Sequence, residues 1–153
     1  MIDFTKKIPA LSRSKQTDPI LLYEDLDRKA TAGPLRPVQN EVLAGWYARC
    51  FENKDIIVKL HTGEGKTLIG LLMLQSRLNA GKGPALYVCP TKQLAAQTAN
   101  DAIKFGVPYI LDQGGTDIPE DVLESKRIWI TYVQRVFNGR TKLGLDNTGQ
   151  TIG

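Results

Sequence analysis

Asp55-Ile56-Ile57-Val58-Lys59-Leu60-His61-Thr62-Gly63-Glu64-Gly65-Lys66-Thr67-Leu68-Ile69 is the stretch that decides the fold. An apolar run leads into a glycine-rich turn, and the turn opens directly into a helix-forming sequence. That order suits a strand, a phosphate-binding loop and a helix N-terminus. Gly63 and Gly65 permit backbone conformations that turn N–H groups inward. The first helical turn adds unpaired N–H donors and the positive end of its dipole. Lys66 is spaced to reach the outer phosphates of a nucleotide, and the Thr67 hydroxyl to complete part of a Mg²⁺ shell. Thr62, Gly63, Glu64, Gly65, Lys66 and Thr67 are therefore the candidate nucleotide-binding residues. The full pattern G-x-x-x-x-G-K-[ST] has Leu60 in place of its first glycine, while the shorter core T-G-x-G-K-T is intact.

Outward from this loop, strands and helices are expected to alternate. Downstream, a helix is expected over Lys66–Ala80, apolar almost all round from Leu68 to Leu74, as burial against a sheet requires. Gly81-Lys82-Gly83-Pro84 stops it, and Ala85–Cys89 reads as a buried strand. A helix over Gln93–Lys104, a strand over Val107–Leu111 and a short turn around Pro119–Leu123 follow. Arg127–Thr131 is a further strand, and Tyr132–Phe137 a helix stopped by Asn138-Gly139. Upstream, Asp18 caps a helix with Pro19 at its first position, running to about Ala30. A second helix starts at Pro37, with Val38, Val42, Leu43, Trp46 and Phe51 as its apolar face. The class is α/β, a parallel sheet covered by helices on both faces.

The chain has 153 residues, one domain's worth of core. Its formal charge of +4 permits contact with nucleic acid without demanding it. Cys50 and Cys89 lie far apart without metal-ligand spacing and are expected to be reduced, buried thiols. Met1–Ile8 lacks a signal-peptide core and no apolar run approaches transmembrane length, so a cytoplasmic protein with no membrane partner is expected.

The loop has companions, and together they resemble the first motor domain of superfamily 2 helicases of the DEAD/DEAH type. Leu35-Arg36-Pro37-Val38-Gln39 looks like the family's glutamine motif, whose carboxamide reads the adenine edge; a donor and an acceptor on one group suit that task. Pro90-Thr91-Lys92-Gln93-Leu94-Ala95 resembles P-T-R-E-L-A, a contact to the nucleic-acid backbone, with Lys92 for the usual arginine. Gly114-Gly115 looks like the paired glycines that approach the same strand, and Thr131-Tyr132 sits where the family has its next backbone-contacting threonine. His61 departs from a common proline and reads as a neutral spacer. The resemblance covers roughly Leu35–Phe137. It implies an incomplete RecA-like P-loop fold, ATP and Mg²⁺ bound through Gln39, the loop and Thr67, and DNA or RNA bound through Pro90, Thr91, Lys92, Gly114, Gly115 and Thr131. The expected divisions are an N-terminal helical extension at 1–34, a partial RecA-like domain at 35–139 and a polar tail at 140–153.

Hydrolysis in this family also needs a D-E-x-[HD] box after the Thr131-type motif, one acid for Mg²⁺ and one for water. Beyond Thr131 the only acid is Asp146, with no apolar strand before it. Glu24-Asp25 and Glu120-Asp121 read as surface charges, and Glu64 is not the catalytic carboxylate. No catalytic set is complete, and the chain reads as the front of a longer motor that binds nucleotide without turning it over. The strands that would pair beside the loop strand are missing, so an exposed apolar edge is expected. Two alternatives stay open. One is a protein-translocating motor resembling SecA, which shares T-G-E-G-K-T, an upstream glutamine and a turn like Gly81-Lys82-Gly83. The other is a degenerate ATP-binding module kept for partner binding.

Overall fold

The computed structural model describes residues 15–137. Residues 1–14 and 138–153 lie outside it, and with them the expected Asn138-Gly139 stop, the polar tail at 140–153 and Asp146. The order of elements is α1 (Pro19–Asp25), α2 (Pro37–Arg49), α3 (Lys66–Asn79), β1 (Leu86–Cys89), α4 (Lys92–Phe105), β2 (Tyr109–Leu111), α5 (Glu120–Leu123), β3 (Ile128–Tyr132) and α6 (Val133–Phe137).

The three strands form one parallel sheet in the order β1-β3-β2. Leu86 to Cys89 pair with Trp129 to Tyr132, and Tyr109 to Leu111 with Ile128 to Ile130. Each connection contains a helix, as parallel neighbours require. Ile128 and Ile130 are fully buried in a core with Leu71 and Leu78 of α3 and Ala95, Ala99 and Ala102 of α4. The alanines make a flat helix face that lies close on the strands. A second core joins Leu22 and Tyr23 of α1, Leu43 of α2 and Leu68, Ile69 and Leu72 of α3. Hence α1, expected as part of an extension, shares a core with the helix that follows the glycine-rich loop. Leu26 and Phe105 pack against both cores and join them.

The local signals for most helices are kept. The Asp18 side chain accepts from the Ile20 and Leu21 N–H groups, with Pro19 opening α1. This helix ends at Asp25 rather than near Ala30, because Leu26 turns extended, with ψ at 143°. Gly106, at φ 71°, terminates α4. On α2 the buried residues are Gln39, Leu43 and Trp46; Val38, Val42 and Phe51 are only half-buried. Cys89 is buried and Cys50 half-buried, both as free thiols.

One expected element does not form. Asp55–Leu60 carries no strand pairing, and Ile56, Ile57 and Val58 are exposed at 39%, 91% and 42%. Branched apolar residues favour an extended chain, but a strand needs a hydrogen-bonding neighbour. Among the described residues the sheet ends at β1 on one side and β2 on the other, and no strand pairs with this segment. Among the described residues, no helix is long and apolar enough to cross a membrane.

Candidate nucleotide and nucleic-acid site

Parallel strands end at the same rim of a sheet, and that rim is where α/β proteins place ligands. Three of the segments singled out in the sequence sit there. Pro90-Thr91-Lys92 follows β1, Gly114-Gly115 follows β2, and Thr131-Tyr132 closes β3. The register aligns Cys89 with Tyr132 and Leu111 with Ile130, so the three strand ends are level within a residue or two. Helix α3 runs back toward the start of β1 through residues 80–85 alone, which puts its N-terminus, and the glycine-rich loop, at this same end of the domain.

The loop has the backbone its glycines permit. Gly63 and Gly65 have φ of 86° and 74°, in the left-handed region. Nothing lies within 4 Å of the position a Cβ would take on Gly63, so that side of the loop is open. On Gly65 a Cβ would stand 2.2 Å from Nε2 of Gln39. Lys66 and Thr62 are exposed and Thr67 half-buried at the first turn of α3. Glu64 turns its carboxylate back to accept from the His61 N–H at 2.8 Å, which folds the tip of the loop on itself.

Gln39 fastens the upstream motif to the loop. It is 4% exposed, its Oε1 accepts from the Arg36 N–H at 2.9 Å, and its Nε2 donates to the Gly65 carbonyl at 3.3 Å. The Arg36 guanidinium donates to the Gly63 carbonyl alongside. A carboxamide has two acceptor and two donor directions, and these contacts occupy one of each. The pair expected to face adenine is therefore held against the loop itself by its other half.

Residues without an assigned role in the sequence also shape the site. Tyr87 of β1 lies with its ring against Gly70 of α3, where a Cβ would come within 3.0 Å of Cε2. Burial pushes the Tyr87 phenol up, while a hydrogen bond with the Thr67 hydroxyl acts the other way. The second case is Asp112, 6% exposed, whose Oδ2 accepts from Thr131 Oγ1 at 2.7 Å and Arg135 Nε at 2.9 Å. Burial pushes Asp112 up, yet its bonds from Arg135, Thr131 and the Gly114 N–H hold it below the ordinary aspartate value. Only the position of Asp112, one residue past an apolar run, hinted at it. Its partners come from another strand and helix, which no spacing rule reveals.

The expected backbone contacts differ in exposure. Pro90, Thr91 and Lys92 are exposed, with Thr91 Oγ1 capping α4 by accepting from the Leu94 N–H at 3.2 Å. Gly114 and Gly115 are exposed at φ 87° and 96° with open space beside them. Thr131 is fully buried, and its hydroxyl is given to Asp112 rather than turned to the rim.

For Mg²⁺ the described residues offer the Thr67 hydroxyl and no cluster of three or more His, Cys, Asp or Glu side chains. That donor set fits a cation that arrives bound to a polyphosphate, with the open loop and Lys66 for the phosphates.

The DEAD/DEAH box helicase family model matches residues 36–143, well over half of the chain. Among curated proteins, a probable DEAD-box ATP-dependent RNA helicase 48 from Arabidopsis thaliana is 38% identical over 63 residues. The alignment covers 34% of this chain and 8% of that protein, so the chain spans a small part of its relative's length. No solved structure matches. With the loop, the glutamine motif and three strand-end segments at one end of a parallel sheet, the chain belongs to the DEAD/DEAH box helicase family.

Proposed function

We propose that this chain is the nucleotide-binding part of a helicase or nucleic-acid translocase, holding Mg·ATP at Gly63–Thr67 and the phosphate backbone of RNA or DNA at the sheet rim. The observation that carries this reading is the convergence of the open loop and three strand ends on one end of the domain. Lys66 neutralises the outer phosphates, the N–H groups of the loop and of the first turn of α3 cradle them, and Thr67 joins the shell of the cation the nucleotide brings. Gln39 carries adenine recognition through the donor and acceptor directions left over. Pro90-Thr91-Lys92 and Gly114-Gly115 supply exposed backbone and a cation for a strand's phosphates, which fixes position but reads no base. Thr131 acts from inside the rim. In our reading the chain binds ATP without turning it over, since the residues that would activate water are not among its motifs. Family membership favours this motor over the SecA-like one.

The test is a titration of the 153-residue chain with a fluorescent ATP analogue, with and without Mg²⁺, beside Lys66→Ala. Saturable, Mg²⁺-dependent binding lost in Lys66→Ala is expected. Binding that survives the substitution would overturn the assignment of the loop. Steady ATP hydrolysis abolished by Lys66→Ala would overturn the claim that the chain does not turn ATP over.

A further inference from the structure

Asp112 makes more bonds than a turn requires. Its own N–H donates to the Ile130 carbonyl at 2.9 Å, seating it at the end of the sheet. Oδ1 accepts from the Gly114 N–H at 2.8 Å, while Oδ2 takes the Thr131 hydroxyl and Nε of Arg135. Arg135 then donates from Nη2 to the Gly115 carbonyl at 2.7 Å. The bonds close a ring: carboxylate to Gly114, across the peptide to Gly115, through the guanidinium, and back to the carboxylate. The Asp112 side chain is 1% exposed and that of Arg135 13%.

We infer that Asp112 is a positioning residue for nucleic-acid binding: through Arg135 and Thr131 it locks the double-glycine loop after β2 to the end of β3 and the start of α6. The inference rests on the proposed reading of the rim as the phosphate-binding face. Gly114 and Gly115 have no side chains to hold their loop, and left-handed glycines lose the most entropy on ordering. A loop meant to present bare backbone to a phosphate must therefore be fixed from behind. A carboxylate would repel the phosphate if it stood at the surface, and Asp112 is withdrawn beneath it. The buried ion pair, unlike an exposed one, strongly penalises loss of either partner, so the two segments move as one. This also accounts for the burial of Thr131, whose hydroxyl serves the ring.

The experiment measures anisotropy of a fluorescein-labelled single-stranded oligouridine titrated with the 153-residue chain, and the fluorescent ATP analogue in parallel. The variants are Asp112→Asn and Arg135→Lys, which keeps the charge but lacks the fork that joins Asp112 to Gly115. Each is expected to weaken RNA binding by about tenfold or more while nucleotide affinity stays within about twofold. A double variant should be no worse than the stronger single, because one cut opens the ring. RNA affinity within about twofold of the parent in both singles would overturn the inference. So would a parallel fall of RNA and nucleotide binding in Arg135→Lys, which would mean general loss of structure. A parent chain that binds nucleotide and no RNA would instead overturn the reading of the rim.

Discussion

Replacing Gly65 by alanine tests how firmly the glutamine motif is fastened to the loop. At φ 74° an alanine carries left-handed strain of about 1 kcal/mol. Its Cβ would also stand 2.2 Å from Nε2 of Gln39, so the carboxamide must swing away. The end of a glutamine is flexible, but here movement breaks the bonds to the Gly65 carbonyl and the Arg36 N–H. Each such bond is worth about 1 kcal/mol net, which brings the expected cost of Gly65→Ala to about 3 kcal/mol. Gly63→Ala is the control: φ is 86°, with nothing within 4 Å of the new methyl. It should cost about 1 kcal/mol, the strain alone. In a Gln39→Ala background the clash is gone, and Gly65→Ala should fall to the same value. Urea denaturation followed by tryptophan fluorescence measures all four, since the buried Trp46 lies on α2, the helix that carries Gln39. Equal costs at Gly63 and Gly65, or an undiminished cost in the Gln39→Ala background, would refute the fastening.

Further outcomes follow from the same geometry. Ile57→Thr, at a residue 91% exposed in the unpaired 55–60 segment, should change stability by less than about 0.5 kcal/mol while reducing self-association seen by light scattering. A loss of about 2 kcal/mol would show that the segment is packed after all. Asp112 has its carboxyl held below the ordinary value, so its contribution is complete above the unfolded value of about 3.9 and fades as pH falls through the folded one. The stability gap between the parent and Asp112→Asn should accordingly narrow between neutral pH and pH about 3 in denaturant titrations. An unchanged gap would mean that folding leaves the Asp112 carboxyl at its ordinary value, so that its partners do not favour the ionised form. Asp18→Ala removes the cap of α1 and should cost about 1 kcal/mol by the same titration. Since α1 shares a core with α3, the loss should appear in the single global transition rather than as separate fraying.

From sequence alone the ligand class we propose was already legible, because T-G-E-G-K-T works through local backbone: two glycines, a lysine and a helix start lie next to one another in the chain. The sequence determined most helices for the same reason. Asp18-Pro19, Thr91 and Gly106 are signals read within one turn. It placed the three later strands to within a residue or two, since branched and aromatic apolar runs between breakers read as buried strands. It misjudged Asp55–Leu60, which has the composition of a strand without the partner that makes one. Strand pairing is non-local, and the tertiary structure alone shows which edges are met. Only the fold could bring Asp112, Thr131 and Arg135 together from the residue after β2, from β3 and from α6, or set Gln39 against Gly65 across an interval of 26 residues. Those contacts depend on the parallel register and helix packing, which no spacing along the chain encodes. Tertiary structure thus decided how a loop legible from sequence is tied to its neighbours.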